Sequence, residues 1–508
     1  MSIKLSNMAI PVTSVLYDDF DERPIDVEFL LPDYCPDIAA VLKCTMTPII
    51  QSKQVSGDRV LVDGIAVLRV LYMDEARKCI RSCEFNQNFT SAFSVKNMPV
   101  NCAVRSSAKT NYVNCRATSP RRLDVHGAIS VKLKAAAESS NEVVSSLAGD
   151  GIYSRKRIMH YSVPTSTAEK SFSITEMVDL GAGKPDAEVL IRGEAVPIIT
   201  DIKPVQGKVI IKGDLKLKNV YVSDAVAGNM DCVYHDIPFS QIMDVDGLHD
   251  DWLVDAEANV VSSDVHITPN SSGESRLLSV NVKINAQVFC TRSGSAEVLV
   301  DAYSAKCPMK LENKRLETEQ LVGVYRENSS IRQLFDLPPE GIDTIVDVWC
   351  DVTPVAERCE EDCAYVDSRL SISMLAKDAS GVVSYYERPC DFTLEYDEQC
   401  SSMPTNISIH KVDYAMSGSD KLEIRAELGV VRHCYRKDSC MAVCGANEDE
   451  AAKFPEEKAA IKIYFANKGE SIWEIAKSCH TSMEAVMEEN GLSSDVLGDN
   501  AMLLVPLC

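Results

Sequence analysis

Hydrophobic and polar residues alternate one for one in three well-separated stretches of the chain. Leu123, Val125, Gly127, Ile129, Val131 and Leu133 alternate with Asp124, His126, Ala128, Ser130, Lys132 and Lys134. Leu278, Val280, Val282, Ile284, Ala286 and Val288 alternate with Ser279, Asn281, Lys283, Asn285 and Gln287, and Leu422 through Val430 repeat the pattern against Lys421, Glu423, Arg425 and Glu427. Side chains in a strand point to opposite faces in turn, so period two predicts a sheet with one buried and one wet face. Val209, Ile211, Leu215, Leu217 and Tyr221 predict another such strand, with Lys212, Asp214, Lys216 and Lys218 on its wet side. One wet face implies antiparallel sheets, and two of them packed together make a sandwich or a partly closed barrel.

The three stretches belong to a unit used three times. Its anchors are Thr47-Pro48, Val196-Pro197 and Thr353-Pro354. Phe29, Val178 and Phe335 lie 19 positions before the three prolines, and Gly64 and Gly213 lie 16 after the first two. Phe89, Phe239 and Phe392 follow at 41, 42 and 38. Glycines inside strands predict a bulge or a close backbone approach. The expected division is 1–160, 161–310 and a degenerate 311–444, forming a rod or compact arm. Residues near 158–172 and 305–330 lack alternation and mark the junctions, and the acidic stretch 445–460 reads as a tether on which the tail swings free.

From Ile461 to Cys508 the pattern changes. A short strand (Ile461 to Phe465) leads to a Lys468-Gly469-Glu470-Ser471 turn, two helices and a closing strand (Met502 to Pro506). Ser471 with Glu474, and Thr481 with Glu484, fit the capping box, in which a hydroxyl and a carboxylate three residues apart satisfy free backbone donors. Ile472, Trp473, Ile475, Ala476, Met483, Val486 and Met487 fall at helical spacing, and Asn490-Gly491 ends the second helix.

Composition narrows the function classes. Apolar residues make up 45% and charged residues 25% of the 508, as in globular chains of three or four domains. A net charge of −23 argues against nucleic acid and anionic membranes as partners. The start leads into no long apolar stretch, and no window approaches a membrane span, so a chain made and folded in a cytosol is expected. The 19 cysteines then read mostly as small reduced core residues, with later intermolecular oxidation and metal binding as alternatives. His433-Cys434, Cys440 and Cys444 match no standard zinc spacing, and no Cys-x-x-Cys pair occurs.

No catalytic constellation emerges. The eight histidines form no His-x-x-x-His pair, and no Gly-x-Ser-x-Gly elbow occurs. Gly181-Ala182-Gly183-Lys184 lacks the first glycine and the hydroxyl of a phosphate loop, and Asp244-Val245-Asp246-Gly247 lacks the later ligands of a calcium loop. The expectation is a non-enzyme with no cofactor and no metal. Charge is unevenly distributed: residues 231–270 hold nine acidic side chains and no lysine or arginine, while 101–160 hold ten basic and four acidic. Solvated loops account for this, or else self-association, with the basic surface of repeat one meeting the acidic surface of repeat two in a neighbouring molecule.

Tyr464, Gly469, Trp473-Glu474-Ile475-Ala476, Asn490, Leu492 and Leu504-Val505-Pro506 make the tail resemble a LysM domain, the βααβ module that in many proteins binds N-acetylglucosamine-containing glycans. The chain has Gly469-Glu470-Ser471 where that family usually has Gly-Asp-Thr, and Gly498-Asp499-Asn500 in place of Pro-Gly. The resemblance implies a core role for Trp473 and a binding surface on two loops, Gly469, Glu470, Ser471 and Ile472 with Asn490, Gly491 and Leu492. A protein could use the same groove. Leu31-Pro32-Asp33-Tyr34-Cys35-Pro36-Asp37-Ile38 resembles the hallmark of the SPOCS domain of clostridial spore-coat proteins. Pro185-Asp186 and Asp336-Leu337-Pro338 are its remnants in the later repeats. SPOCS-like repeats before a LysM domain are similar to a family of coat morphogenesis proteins. That implies a structural adaptor in the mother-cell cytoplasm at the forespore surface, whose partners are the coat's morphogenetic ATPase or other coat proteins. A peptidoglycan-binding protein of the spore envelope is the alternative.

Overall fold

The computed structural model describes all residues except 1–3, 76–78, 225–227, 338–341, 361, 418–420, 450–451, 453, 455–458 and 508. The chain before the tail is built of strands throughout. Repeat 1 contains β1 (Lys4–Leu30), β2 (Ile38–Ser56), β3 (Arg59–Asp74), β4 (Ile80–Ser94), β5 (Ala103–Ser119) and β6 (Arg122–Ala148). Repeat 2 contains β7 (Ile152–Asp179), β8 (Val189–Val205), β9 (Lys208–Asp224), β10 (Asn229–Asp244), β11 (Leu253–Thr268) and β12 (Leu277–Ser304). Repeat 3 contains β13 (Met309–Asp336), β14 (Thr344–Cys359), β15 (Ala364–Lys377), β16 (Val383–Tyr396), β17 (Thr405–Met416) and β18 (Lys421–Glu448).

Each repeat folds as two antiparallel three-stranded sheets, β1-β6-β5 over β2-β3-β4 and their counterparts. The alternating stretches are the central strands β6, β12, β18 and β9, whose predicted inward residues are buried. Their side chains meet those of the facing sheet, as Leu123 to Leu133 do with Val60 to Tyr72, so each repeat is a sandwich and no sheet closes on itself among the described residues. The anchor prolines lie in β2, β8 and β14, the outer strands of their sheets, where a missing N–H breaks no ladder. Both readings of the strand glycines hold, on opposite strands. A Cβ on Gly64 would meet Ile49 O and the Phe89 ring at 2.4 Å, and one on Gly213 would meet Ile198 O at 2.1 Å. The edge strands facing them bulge between Ile50 and Ser52 and between Ile199 and Asp201.

The stretches at 158–172 and 309–330 that break alternation are strand rather than linker. In the hairpins β1–β6, β7–β12 and β13–β18 the ladder skips Leu16, Thr165 and Val322 respectively, and further along it skips Ser145, Val300 and Cys444. A bulge adds one residue to one strand, so the parity of inward and outward side chains flips there and the simple period is lost. Beyond the first bulge each hairpin leaves its sandwich as a two-stranded ribbon, and the three ribbons pack on one another. Ile10, Met159 and Leu316 fill one layer of this junction, and Val143, Val298 and Ala442 fill another, at matching positions in each ribbon. We propose unit boundaries at the turns 149–151 and 305–308, since divisions at 160 and 310 fall within β7 and β13.

The repeats close into a ring. Leu71 and Ile80 of repeat 1, Ile191 and Val222 of repeat 2, and Trp349, Leu375 and Val383 of repeat 3 share one core. Polar contacts join every pair: Arg69 Nη1 donates to Gly193 O (3.2 Å), Lys218 Nζ to Asp347 Oδ1 (2.7 Å) and Lys43 Nζ to Glu387 Oε2 (2.8 Å). At another junction Asp255 accepts from Arg105 Nη2 (2.9 Å) of repeat 1 and from Arg326 Nη2 (2.6 Å) and His433 Nε2 (2.8 Å) of repeat 3. Glu257 also pairs with Arg105. The basic and acidic blocks that suggested contact between neighbouring molecules thus meet within one chain.

Candidate functional site

The tail folds as β19 (Ile461–Ala466), α1 (Ile472–Ser478), α2 (Met483–Glu489) and β20 (Ala501–Pro506), with β19 antiparallel to β20. Ser471 occupies the N-cap of α1, but its side chain makes no cap hydrogen bond. The N-cap of α2 is Ser482, whose hydroxyl accepts from Ala485 N at 3.0 Å, and not Thr481, which is buried one residue earlier. The apolar faces of both helices, with Leu497, Leu503 and Val505, form the core.

The two predicted loops do different work. Gly469 has φ of +87°, which favours glycine, and its N–H donates to Leu497 O at 2.9 Å. Ile472 N donates to Asp495 O (2.8 Å), and Ile472 itself is buried, so it supports the first loop from beneath. Glu470 Oε1 accepts from Asn467 Nδ2 at 3.0 Å, while Glu470 Oε2 and Ser471 Oγ are buried atoms without a hydrogen-bond partner. Asn490 is a staple: its Nδ2 donates to Val486 O (2.8 Å) and Leu504 O (2.7 Å), and its Oδ1 accepts from Leu504 N (2.8 Å). Gly491 lies exposed, and Leu492 N donates to Met487 O at 2.9 Å.

The tail does not swing free. Trp473, 5% exposed, packs edge-on against Tyr303 of β12 with ring centroids 5.0 Å apart. Its Nε1 donates to Asp301 Oδ2 (2.7 Å), Lys477 Nζ donates to the same carboxylate (2.8 Å), and Tyr303 Oη donates to Thr481 O (2.7 Å). Arg155 of β7 pairs with Asp495 at 3.1 Å, and Phe454, within the predicted tether, stacks on His480 at 3.7 Å. Residues 445–448 of that tether are the end of β18, and 450–451, 453 and 455–458 lie outside the described residues.

Sequence reasoning missed the outer face of the β19–β20 sheet. Ile461, Ile463 and Phe465 point the same way and lie directly opposite Pro506, Leu504 and Met502. Phe465 is 76% exposed, Met502 58% and Ile463 55%, making a contiguous apolar strip on the surface. The signal was present: Ile461 to Phe465 has apolar residues on both faces of a strand that needs only one covered.

Two further loops are built alike. Between β1 and β2, Arg121 donates to Cys35 O (3.1 Å), Asp37 Oδ1 (2.8 Å), Leu31 O (3.3 Å) and Pro32 O (3.0 Å), and Tyr72 Oη donates to Pro36 O (3.2 Å). Between β7 and β8, Arg276 donates to Lys184 O (2.6 Å), Asp186 Oδ1 (3.3 Å) and Gly181 O (2.8 Å), and Tyr221 Oη to Pro185 O (3.1 Å). The residues of the zinc alternative turn to separate partners: His433 to Asp255, Cys434 to Glu398, Cys440 to Met159 Sδ and Cys444 to Glu312 O.

The architecture is thus one of β-sandwich repeats with a docked βααβ head. Residues 37–118 and 186–268 match the SipL SPOCS domain, and residues 466–498 match the LysM domain. The chain therefore carries two SPOCS domains and a C-terminal LysM domain, an architecture of sporulation-related proteins with a module of the peptidoglycan-binding class. The SPOCS matches run from the start of β2 to the end of β5 and from before β8 to β11, leaving out the long ribbon strands. No curated protein and no solved structure matches the chain. Among the described residues no helix is long and apolar enough to cross a membrane.

Proposed function

We propose that the protein is a non-catalytic adaptor of endospore coat assembly, acting in the mother-cell cytoplasm at the forespore surface. The ring of repeats is its rigid platform, and the LysM head presents a docking face to a protein of the coat's basal layer, such as its morphogenetic ATPase. The carrying observation is the exposed strip of Ile461, Ile463, Phe465 and Met502. Covering the exposed part of these side chains contributes up to about 1.5–3 kcal/mol each, which suits an apolar protein contact. Affinity capture from sporulating cells with the full chain and with Phe465→Glu tests this. Loss of coat proteins from the variant's eluate is expected, and undiminished capture would remove the reading.

Peptidoglycan binding is the second reading, supported by the LysM match and by Glu470 Oε2 and Ser471 Oγ of the first loop, polar atoms that lack hydrogen-bond partners. It predicts retention of the full chain on insoluble peptidoglycan that Glu470→Ala lowers and Phe465→Glu leaves intact.

A further inference from the structure

The edge where the two sheets of a sandwich approach is bridged differently in repeats 1 and 3. In repeat 1, Lys53 Nζ of β2 donates to Val104 O of β5 at 2.7 Å, and Thr110 Oγ1 donates back to Met46 O at 2.5 Å. In repeat 3 the matching edge holds sulfur. Cys359, the last residue of β14, places its Sγ 3.2 Å from Sγ of Cys400, in the connection between β16 and β17. Both backbones are fixed: Cys359 pairs with Ala364 of β15, and the residues after Cys400 are held by Ser401 N to Tyr435 O (2.7 Å) and Tyr435 N to Ser402 O (2.9 Å). The pair sits over an apolar patch of Ala364, Val366 and Met403, yet both cysteines are only half-buried. The third thiol of that patch, Cys434, is turned to Glu398 Oε2 at 2.7 Å. Among the described residues no group of side chains could hold a metal ion.

We propose that Cys359 and Cys400 form a disulfide that staples the two sheets of repeat 3 when the protein meets a small-molecule disulfide oxidant. The thiols need to approach only by the difference between their present contact and a covalent S–S bond of about 2.05 Å. Burial pushes the Cys359 thiol up to about 12, which disfavours its thiolate as the first attacker. Cys400, as thiolate, attacks one sulfur of the oxidant and expels one thiol, leaving a mixed disulfide. Cys359 then loses its proton to solvent and attacks Cys400 Sγ, expelling the second thiol. Two thiols are oxidised and one external disulfide is reduced. The bridge closes a loop from 359 to 400 and restricts the unfolded chain, which stabilises the repeat. Repeat 3 has most to gain, because Ala376 stands at the register position of Tyr72 and Tyr221, the clamps of the first two repeats.

The test treats the full chain with glutathione disulfide at mildly alkaline pH, alkylates the remaining thiols and maps the peptides by mass. Alkylation of Cys359 and Cys400 is expected to disappear together, with one linked peptide in their place, and dithiothreitol restores both. The unfolding temperature rises in the oxidised full chain and does not rise in treated Cys400→Ser. The peptide map of the unaltered chain decides even if that variant folds poorly. Persistent alkylation of both residues, a Cys400–Cys434 link, or a mixed disulfide at Cys400 with Cys359 still free would each overturn the proposal.

Discussion

Two carboxylates of repeat 2, Asp255 and Asp301, join it to other parts of the chain, and their surroundings differ. Asp255 is 4% exposed and takes hydrogen bonds from both of the other repeats. Burial alone would raise its pKa, but the His433 hydrogen bond and the charges of His433, Arg105 and Arg326 hold it well below the usual carboxylate range. Asp301 is half-buried and, besides Ala302 N of its own strand, accepts from Trp473 and Lys477 of the LysM head. A buried carboxylate held by Arg105, Arg326 and His433 cannot be given up without stranding those partly buried donors, whereas one at a half-wet contact can. The repeats are therefore held more firmly to one another than the head is held to repeat 2.

Breaking the first contact should give the largest effect. Asp255→Ala leaves Arg105, Arg326 and His433 facing each other at the junction and should cost about 3–5 kcal/mol in denaturant unfolding. The pH dependence has a fixed sign. A carboxylate with a depressed folded pKa stabilises the protein above its unfolded pKa, so this contribution is complete at neutral pH and lost as pH falls below about 4. Stability measured from pH 5 downward should decline less steeply in Asp255→Asn, which has no such proton to take up.

The arginine clamps should come next. Arg121→Ala removes the donor to three backbone carbonyls and Asp37, and Arg276→Ala removes the donor to two carbonyls and Asp186 in repeat 2. Each should lower stability by less than Asp255→Ala does, with faster amide exchange confined to 31–38 in the first variant and 180–187 in the second. Equal effects would show that the clamp, kept in both loops although Asp33-Tyr34-Cys35 of the first is Ala182-Gly183-Lys184 in the second, is the feature the repeats share.

Much of this was legible in the sequence. The central strands announced themselves because a buried strand with one wet face alternates strictly, and the anchor prolines marked the repeats, recurring on edge strands where a missing N–H is harmless. The ribbons were hidden by bulges at Leu16, Thr165 and Val322, which flip the parity that a periodic reading follows. The ring was hidden because Asp255 is one of nine acids in its block, and only the fold singles it out. Docking of the head needed a comparison at ribbon register. Asp301 and Tyr303 stand where repeat 1 has Ser146 and Ala148 and repeat 3 has Gly445 and Asn447, so one ribbon tip of the three offers a carboxylate and an aromatic ring.

That comparison gives the sharpest separation of platform from head. Asp301→Ala removes the acceptor for Trp473 Nε1 and Lys477 Nζ, and a contact of this half-exposed kind is worth about 1–2 kcal/mol. The expected outcome is release of the head while ring and head each stay folded: the main unfolding transition keeps its midpoint, and tryptophan emission shifts to the red as Trp473 meets water. Phe465→Glu, on the opposite kind of surface, should change stability by less than about 0.5 kcal/mol, because Phe465 already faces solvent. If Asp301→Ala also lowers the midpoint of the ring, the head is part of the ring's cooperative unit and the contrast between the two carboxylates fails. If the midpoint holds and coat-protein capture survives in Asp301→Ala but not in Phe465→Glu, the head works as a docking module whose attachment to repeat 2 sets its orientation and leaves its affinity unchanged.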